Sequence, residues 1–166
     1  MVAQAEVERK WLVAEPPPDA LAAPSEQIEQ GYLTIGDGGC ETRLRRRGER
    51  FTLTVKSGAG LVRSETEIEL TRDQFEALWP ATAAARLSKR RHSLRDAEGG
   101  ETIELDAYAG SLAGLVVAEV EFRDLEAAAA YVPPPWFGRE VTAQDAYRNQ
   151  RLALVAGGGV PAPKSR

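Results

Sequence analysis

Polar and apolar residues alternate along most of this chain, and this pattern constrains the fold more than any other feature of the sequence. A period of two places successive side chains on opposite faces of a β-strand. The pattern predicts eight strands, over residues 5–13, 27–35, 41–47, 51–57, 63–70, 86–95, 102–108 and 115–122. Glycine-rich segments separate several of them and are typical of hairpin connections. We therefore expect a mainly β, antiparallel α+β fold.

Helical signals interrupt the strands in three places. Thr71 is a predicted N-cap for a short helix, and residues 124–131 predict an alanine-rich one. A third helix is predicted from near Thr142, where Asp145 would complete a capping box, to about Ala156. We expect these helices to pack outside the strands.

Composition limits the kinds of protein that fit. The chain has 166 residues, of which 43% are hydrophobic, and this predicts a single domain over residues 1–156 with a flexible tail at 157–166. A net charge of −4 argues against a protein that coats nucleic acid. The sequence has no long apolar run and no signal-peptide core, so we expect a cytoplasmic protein. Cys40 and His92 are single, which excludes an intrachain disulfide and a zinc site of cysteines and histidines, so a metal would need oxygen ligands.

Charged residues are sorted by strand face. Acidic residues share a face with a spacing of two at Glu6 and Glu8, at Glu65, Glu67 and Glu69, at Glu104 and Asp106, and at Glu119 and Glu121. Basic residues do the same at Arg43, Arg45 and Arg47, at Lys56, and at Lys89 and Arg91. One interpretation is a sheet whose charged faces meet water. The other is that the eight strands close a small barrel with these faces inside, and unpaired buried charges would then need a ligand and a metal of opposite sign.

The residue types indicate which ligands those would be. Neighbouring carboxylates suit a hard divalent cation such as Mg²⁺ or Mn²⁺, and the best candidates are Glu6, Glu8, Glu119 and Glu121. Arginine forks and lysine ammonium groups suit a chain of phosphates, with candidates Arg43, Arg45, Lys56, Lys89 and Arg91. Metal on one wall and phosphate on the other is what metal-assisted cleavage of a phosphoanhydride requires.

At these residues the sequence resembles a known family. Residues 6–10 match the Glu-x-Glu-x-Lys signature of the CYTH superfamily, the triphosphate tunnel metalloenzymes. Further matching segments follow in family order at residues 30–33, 43–45, 56, 64–69, 89–91, 104–106 and 118–122. The chain is similar to the small bacterial members over about residues 5–155.

The resemblance implies a fold and a set of residue roles. The fold is an eight-stranded antiparallel closed β-barrel, a tunnel, with helices packed outside. Metal ligands would be Glu6, Glu8, Glu119 and Glu121, with Asp106 as a further ligand. Triphosphate would contact Lys10, Arg43, Arg45, Lys56, Lys89 and Arg91. Lys10, which touches phosphate or helps to activate water, and Tyr32 beside it would be the catalytic residues.

Two features are left open by the resemblance. Gln144 and Ala146 depart from the bacterial pattern, so the sequence does not decide whether the last helix contacts the tunnel. Glu65 and Glu67 are interpreted as ion-pair partners of basic residues, with metal ligation as the alternative.

The resulting functional hypothesis is hydrolysis of inorganic tripolyphosphate to pyrophosphate and phosphate, dependent on Mg²⁺ or Mn²⁺, by a monomer or homodimer. Thiamine triphosphate, nucleoside or RNA triphosphates and cyclisation of ATP are the alternatives within the family. Outside it, the chain would be a polyphosphate-binding module without catalysis. A nucleic-acid-binding barrel would need basic residues outside among stacking aromatic rings, and the aromatic residues lie mostly on apolar faces and helices, so neither nucleic acid nor membrane is an expected partner.

Overall fold

The computed structural model describes residues 7–35, 40–57, 64–96 and 100–158. All eight predicted strands are present in them. The strands are β1 (Val7–Leu12), β2 (Ser25–Ile35), β3 (Glu41–Arg47), β4 (Arg50–Ser57), β5 (Ser64–Leu70), β6 (Arg86–Arg95), β7 (Thr102–Tyr108) and β8 (Val116–Phe122). The helices of these ranges are α1 (Pro18–Ala22), α2 (Arg72–Leu78), α3 (Leu125–Ala130) and α4 (Asn149–Ala156), with short 3-10 turns between elements.

The strands form one antiparallel sheet in the order β1-β8-β7-β6-β2-β3-β4-β5. β1 and β5 are its two edges, and no pairing joins them within the described ranges. The prediction of a closed barrel is therefore wrong, although the strand number and the antiparallel pairing are confirmed.

A second segment occupies the edge of β1 that closure would have used. We call residues 138–142 the strap. The Gly138 N–H donates to the Leu12 carbonyl at 2.8 Å, and the Leu12 N–H donates to the carbonyl of Arg139 at 3.0 Å. The Val141 N–H donates to the Lys10 carbonyl at 2.8 Å. Because the strap takes these backbone groups, the edge of β1 at Lys10 and Leu12 is not available for pairing with β5.

Side chains reinforce the strap. The Arg9 guanidinium forms two hydrogen bonds with the Glu140 carboxylate, at 2.9 and 2.7 Å, and also donates to the Ala128 carbonyl at 2.8 Å. The Thr142 hydroxyl accepts the Lys10 N–H at 3.0 Å and donates to Glu140 at 2.7 Å. Strap, β1 and α3 are thus tied together on one side of the sheet.

The helix predictions are confirmed for two of three segments. Thr71 caps α2 in a capping box with Gln74, and Asp124 caps α3 by accepting the N–H of Ala127. The third helix begins later than predicted, at Asn149, because Thr142 binds β1 instead of capping a helix. Asp145–Tyr147 forms a 3-10 turn before it, and α1 is a helix that the sequence pattern did not predict.

The helices pack against the apolar faces of the strands, and the charged faces lie on the opposite side of the sheet. One cluster joins Trp11, Leu105 and Val120 to α3, and a second joins Leu87 and Val117 to α4. A third cluster packs α2 against β3 and β4. Among the described residues there is no helix long and apolar enough to cross a membrane. Since the apolar faces are covered by helices, the opposite faces of the curved sheet are available for a polar site.

Candidate functional site

A cavity of about 720 Å³ lies on the charged side of the sheet. Its lining includes many of the residues predicted for the site: Glu8, Lys10, Tyr32, Arg43, Arg45, Lys56, Arg91, Glu119 and Glu121. Glu6 lies outside the described residues. Strands from both edges of the sheet contribute to the lining, so its curvature brings the two charged walls together without closure by hydrogen bonds.

The acidic wall is formed by β1, β8 and β7. Glu8 lies directly opposite Glu121 across β1 and β8, and Glu104 lies opposite Glu119 across β7 and β8. Like charges in directly opposed positions of neighbouring strands destabilise a sheet unless a cation offsets them. Lys10 supplies one such cation, with its Nζ 3.1 Å from Glu8 and 3.2 Å from Glu119.

Burial and ion pairing compete at Lys10 and Glu119. Burial alone would lower the pKa of Lys10, but the carboxylates of Glu119 and Glu8 outweigh it and raise that pKa. Burial would raise the pKa of Glu119, but Lys10, Lys89 and Arg91 outweigh it and lower that pKa. Both groups are therefore charged near neutral pH. In this arrangement Lys10 carries its proton, which favours contact with phosphate over a role as a base.

The basic wall contains two neighbouring guanidinium groups, those of Arg43 and Arg45. Within the described residues neither Arg43 nor Arg45 forms an ion pair. Arg43 is 7% exposed, and its buried Nε has no hydrogen-bond partner there, while its Nη2 donates to the Thr54 hydroxyl at 3.2 Å. Burial, together with the charges of Arg43 and Arg91, lowers the pKa of Arg45 to about 10. Such a site is electrostatically incomplete until it binds an anion.

The remaining cations of the wall are paired. Lys56 lies 2.9 Å from Glu65, which agrees with the interpretation of Glu65 as an ion-pair partner. Glu67 accepts a hydrogen bond from the Thr54 hydroxyl at 3.1 Å and lies 3.9 Å from Arg50. These two carboxylates of β5 therefore hold the side chains of Lys56 and Thr54 on the neighbouring strand β4.

Lys89 and Asp106 are placed behind the cavity wall. Both side chains are fully buried, 2.5 Å apart, and neither lines the cavity as the described residues form it. Asp106 also accepts hydrogen bonds from Nε and Nη2 of Arg91 at 2.7 and 2.6 Å. Burial lowers the pKa of Lys89 to about 8, against the opposing effect of Asp106. This geometry gives Asp106 the position of an anchor for Arg91, which in turn donates to Glu119 at 2.9 Å and to Glu104. Within the described residues neither Lys89 nor Asp106 lines the cavity, and the roles of Asp106 as a metal ligand and of Lys89 as a phosphate contact stay predictions.

The start of α4 and the segment before it also reach the site. Thr142, Gln144, Tyr147, Arg148 and Asn149 line the cavity, which answers the question that the sequence left open. Asn149 Oδ1 accepts a hydrogen bond from the Tyr108 hydroxyl at 2.6 Å and lies 3.4 Å from Lys89 Nζ. The sequence left the roles of these residues open because their segment has no alternating pattern that would assign each side chain to a face.

The carboxylates of the acidic wall supply oxygen atoms, which a hard divalent cation prefers, but within the described residues they do not form a full set of metal ligands. In the part of the chain that the structure describes, no three histidine, cysteine or acidic side chains converge as a metal site. Glu8, Glu119 and Glu121 lie on neighbouring strands and line one wall, so they fit as oxygen donors. The fourth predicted ligand, Glu6, lies outside the described residues.

Comparison with known proteins assigns the chain to a family. No family model matches it. It is 47% identical over 149 residues to an inorganic triphosphatase of Nitrosomonas europaea, covering 90% of this chain and 97% of the relative. It is 32% identical over 149 residues to an inorganic triphosphatase of Acetivibrio thermocellus, covering 89% and 92%. A crystal structure of an inorganic triphosphatase superposes with a TM-score of 0.71 at 44% identity, covering 93% of this chain and 96% of the other. This chain therefore belongs to the inorganic triphosphatase family of the CYTH superfamily.

Proposed function

We propose that this protein hydrolyses inorganic triphosphate with the help of a divalent cation, Mg²⁺ or Mn²⁺. The observation that carries the proposal is the pair of guanidinium groups, Arg43 and Arg45, which form no ion pair within the described residues and lie across the cavity from the acidic wall. An anion with several charged oxygens would neutralise the two arginines, and a cation would neutralise the acidic wall. The names of the relatives support the same substrate.

Each wall has a distinct task in this proposal. Glu8, Glu119 and Glu121, with Glu6, would hold the cation, which when bound neutralises charge on the phosphate oxygens. Arg43, Arg45, Lys56 and Arg91 would bind the phosphates and stabilise charge that builds on the leaving group.

Lys10 and Tyr32 act as donors at the phosphate in this proposal. Lys10 sits between the acidic wall and the cavity, and its raised pKa keeps it protonated; two of its N–H groups face Glu8 and Glu119, and the third would donate to phosphate. The Tyr32 side chain lines the cavity, and burial, the largest effect on it, raises the pKa of its phenol. A phenol that keeps its proton donates a hydrogen bond to a phosphate oxygen and does not accept a proton from water.

The lining favours an inorganic substrate over one with a base or a thiazole ring. The aromatic rings that line the cavity within the described ranges are those of Tyr32 and Tyr147, and the Tyr147 hydroxyl already accepts a hydrogen bond from Arg139 at 3.2 Å. Charged side chains form most of the remaining surface. Recognition of a base by stacking would require an exposed ring face in the site.

Phosphate release from tripolyphosphate, pyrophosphate, ATP and thiamine triphosphate, each with Mg²⁺, Mn²⁺ or chelator, tests the proposal. We expect turnover of tripolyphosphate above the others, and none with chelator.

Glu119→Gln should lower kcat on the order of 100-fold and raise the metal concentration for half-maximal activity, because it removes one donor of the cation site. Glu15→Gln, at an exposed residue away from the cavity, is the matched control. Full activity in chelator, or unchanged metal dependence in Glu119→Gln, would contradict the proposal.

A further inference from the structure

Gln30 is a fully buried polar residue beside the site. It lies on β2 directly opposite Arg45 of β3, and Tyr32 lies two residues further along the same face. Its side-chain oxygen is 3.3 Å from Arg45 Nε and 3.2 Å from Arg45 Nη2. Its side-chain nitrogen is 2.9 Å from the Tyr32 hydroxyl. One amide therefore connects a phosphate-binding cation to a catalytic phenol.

The direction of each hydrogen bond follows from the donors. A guanidinium group donates only, so the oxygen of the Gln30 amide must face Arg45. The amide nitrogen then faces Tyr32, and an amide nitrogen donates only. The Tyr32 oxygen is thus the acceptor in this contact, and its own hydrogen must point elsewhere.

The cavity is the place left for that hydrogen. The Tyr32 side chain lines the cavity, and no acceptor for its hydroxyl hydrogen lies within the described ranges. A phosphate oxygen held by Arg43 and Arg45 is an acceptor of the right charge. The β2–β3 pairing sets Tyr32 opposite Arg43, so the phenol and this cation lie side by side.

We propose that Gln30 is a positioning residue that holds the Arg45 guanidinium and orients the Tyr32 hydroxyl so that it donates its hydrogen bond into the cavity. This inference rests on the function proposed above. Gln30 itself does not line the cavity as described, so it acts through Arg45 and Tyr32.

Gln30→Glu reverses one hydrogen bond and keeps the other. The substituted carboxylate still accepts from Arg45, but it also accepts from Tyr32, whose hydrogen then turns away from the cavity. We expect kcat for tripolyphosphate to fall about tenfold, the effect of about 1.4 kcal/mol, and KM to rise as well, because the new carboxylate partly neutralises Arg45.

A double-mutant cycle separates orientation of Tyr32 from a general structural effect. In the Tyr32→Phe background, the same Gln30→Glu change should lower kcat less than about twofold, since there is no hydroxyl left to misdirect. Gln27→Glu is the matched control, because Gln27 is an exposed residue of the same strand whose amide nitrogen also donates to a hydroxyl, that of Ser88, at 2.6 Å. It should leave kcat unchanged.

A second variant covers the case in which Gln30→Glu does not fold. Gln30→Met removes both hydrogen bonds. Its loss of kcat should again be smaller in the Tyr32→Phe background, and KM should rise in both backgrounds. Wild-type kcat in the Gln30 variants, or an equal loss in both backgrounds, would overturn the inference. Unchanged kcat in Tyr32→Phe alone would overturn it together with the role of Tyr32. Hydrolysis by the wild-type protein is measured separately, so a failure of the proposed function would be distinguished by the absence of any metal-dependent turnover.

Discussion

Glu119 is a buried carboxylate whose charge depends on its neighbours. Burial works against its ionised form, and Lys10 and Arg91, at 3.2 and 2.9 Å, work for it more strongly. The pKa is therefore lower in the folded protein than in the unfolded chain. Between these two values the unfolded chain binds more protons, so acid favours unfolding.

Acid stability provides a test at this residue. The free energy of unfolding should fall as the pH drops below about 4.5, where the unfolded glutamate begins to protonate, and it should continue to fall down to the lower folded pKa. Glu119→Gln cannot titrate, so its curve should fall less steeply, whereas Glu15→Gln should follow wild type. Urea unfolding at a series of pH values measures these slopes. Parallel curves for wild type and Glu119→Gln would show that Glu119 is not held ionised by its neighbours.

The sequence predicted which side chains share a face, but not how deep each one lies. Lys89 and Arg91 are two residues apart on β6, as the alternation required, yet Lys89 is fully buried against Asp106 while Arg91 lines the cavity. A period of two fixes the direction of a side chain from the strand and carries no information on what covers it. Lys89 is buried because Tyr108 of β7 and Asn149 of α4 pack against its ammonium group.

At the scale of elements, the edge of β1 decided the topology. The eight alternating segments predicted the strands correctly, but closure of the sheet into a barrel depends on whether the backbone groups of β1 and β5, its two edge strands, pair with each other. The strap takes those groups with only five residues and no alternating pattern, so periodicity had no signal for it. Thr142 shows the same limit, because its hydroxyl caps a strand N–H at Lys10 where the sequence predicted a helix N-cap.

Gly138→Ala tests the strap as the cover of this edge. A Cβ at this position would lie 2.7 Å from the Leu12 carbonyl oxygen, closer than packing allows, so strap and strand must separate. We expect a loss of about 1–3 kcal/mol in the free energy of unfolding. Hydrogen exchange should accelerate at the amides of Leu12 and Val141 and stay unchanged at Leu53 of β4, which serves as an internal control. Unchanged exchange at Leu12 would mean that the strap does not protect this edge.

At the scale of the whole molecule, the two walls belong to opposite halves of one curved sheet. β1, β8 and β7 carry the acidic wall, and β3 and β4 carry Arg43, Arg45 and Lys56 at the other end of the strand order. No backbone pairing links β1 to β5 in the described ranges. A ligand that contacts both walls would supply the missing link and stabilise the fold by its own binding free energy.

Thermal unfolding with tripolyphosphate in chelator tests the part of this link that the basic wall supplies, and β3 offers a control residue beside Arg45. Arg45 faces the cavity, whereas the next residue, Arg46, faces outward and pairs with Glu29. At a concentration of tripolyphosphate about 100 times Kd, linkage predicts about 2.7 kcal/mol and a rise in Tm of roughly 5–10 °C for the wild-type protein. In Arg45→Gln the rise at the same concentration should be less than about half of this, because the cavity loses an unneutralised cation, while Arg46→Gln should retain all of it. Calorimetry in chelator excludes turnover during the scan. Equal rises in the two variants would mean that tripolyphosphate binds the protein through general charge attraction and not in this cavity.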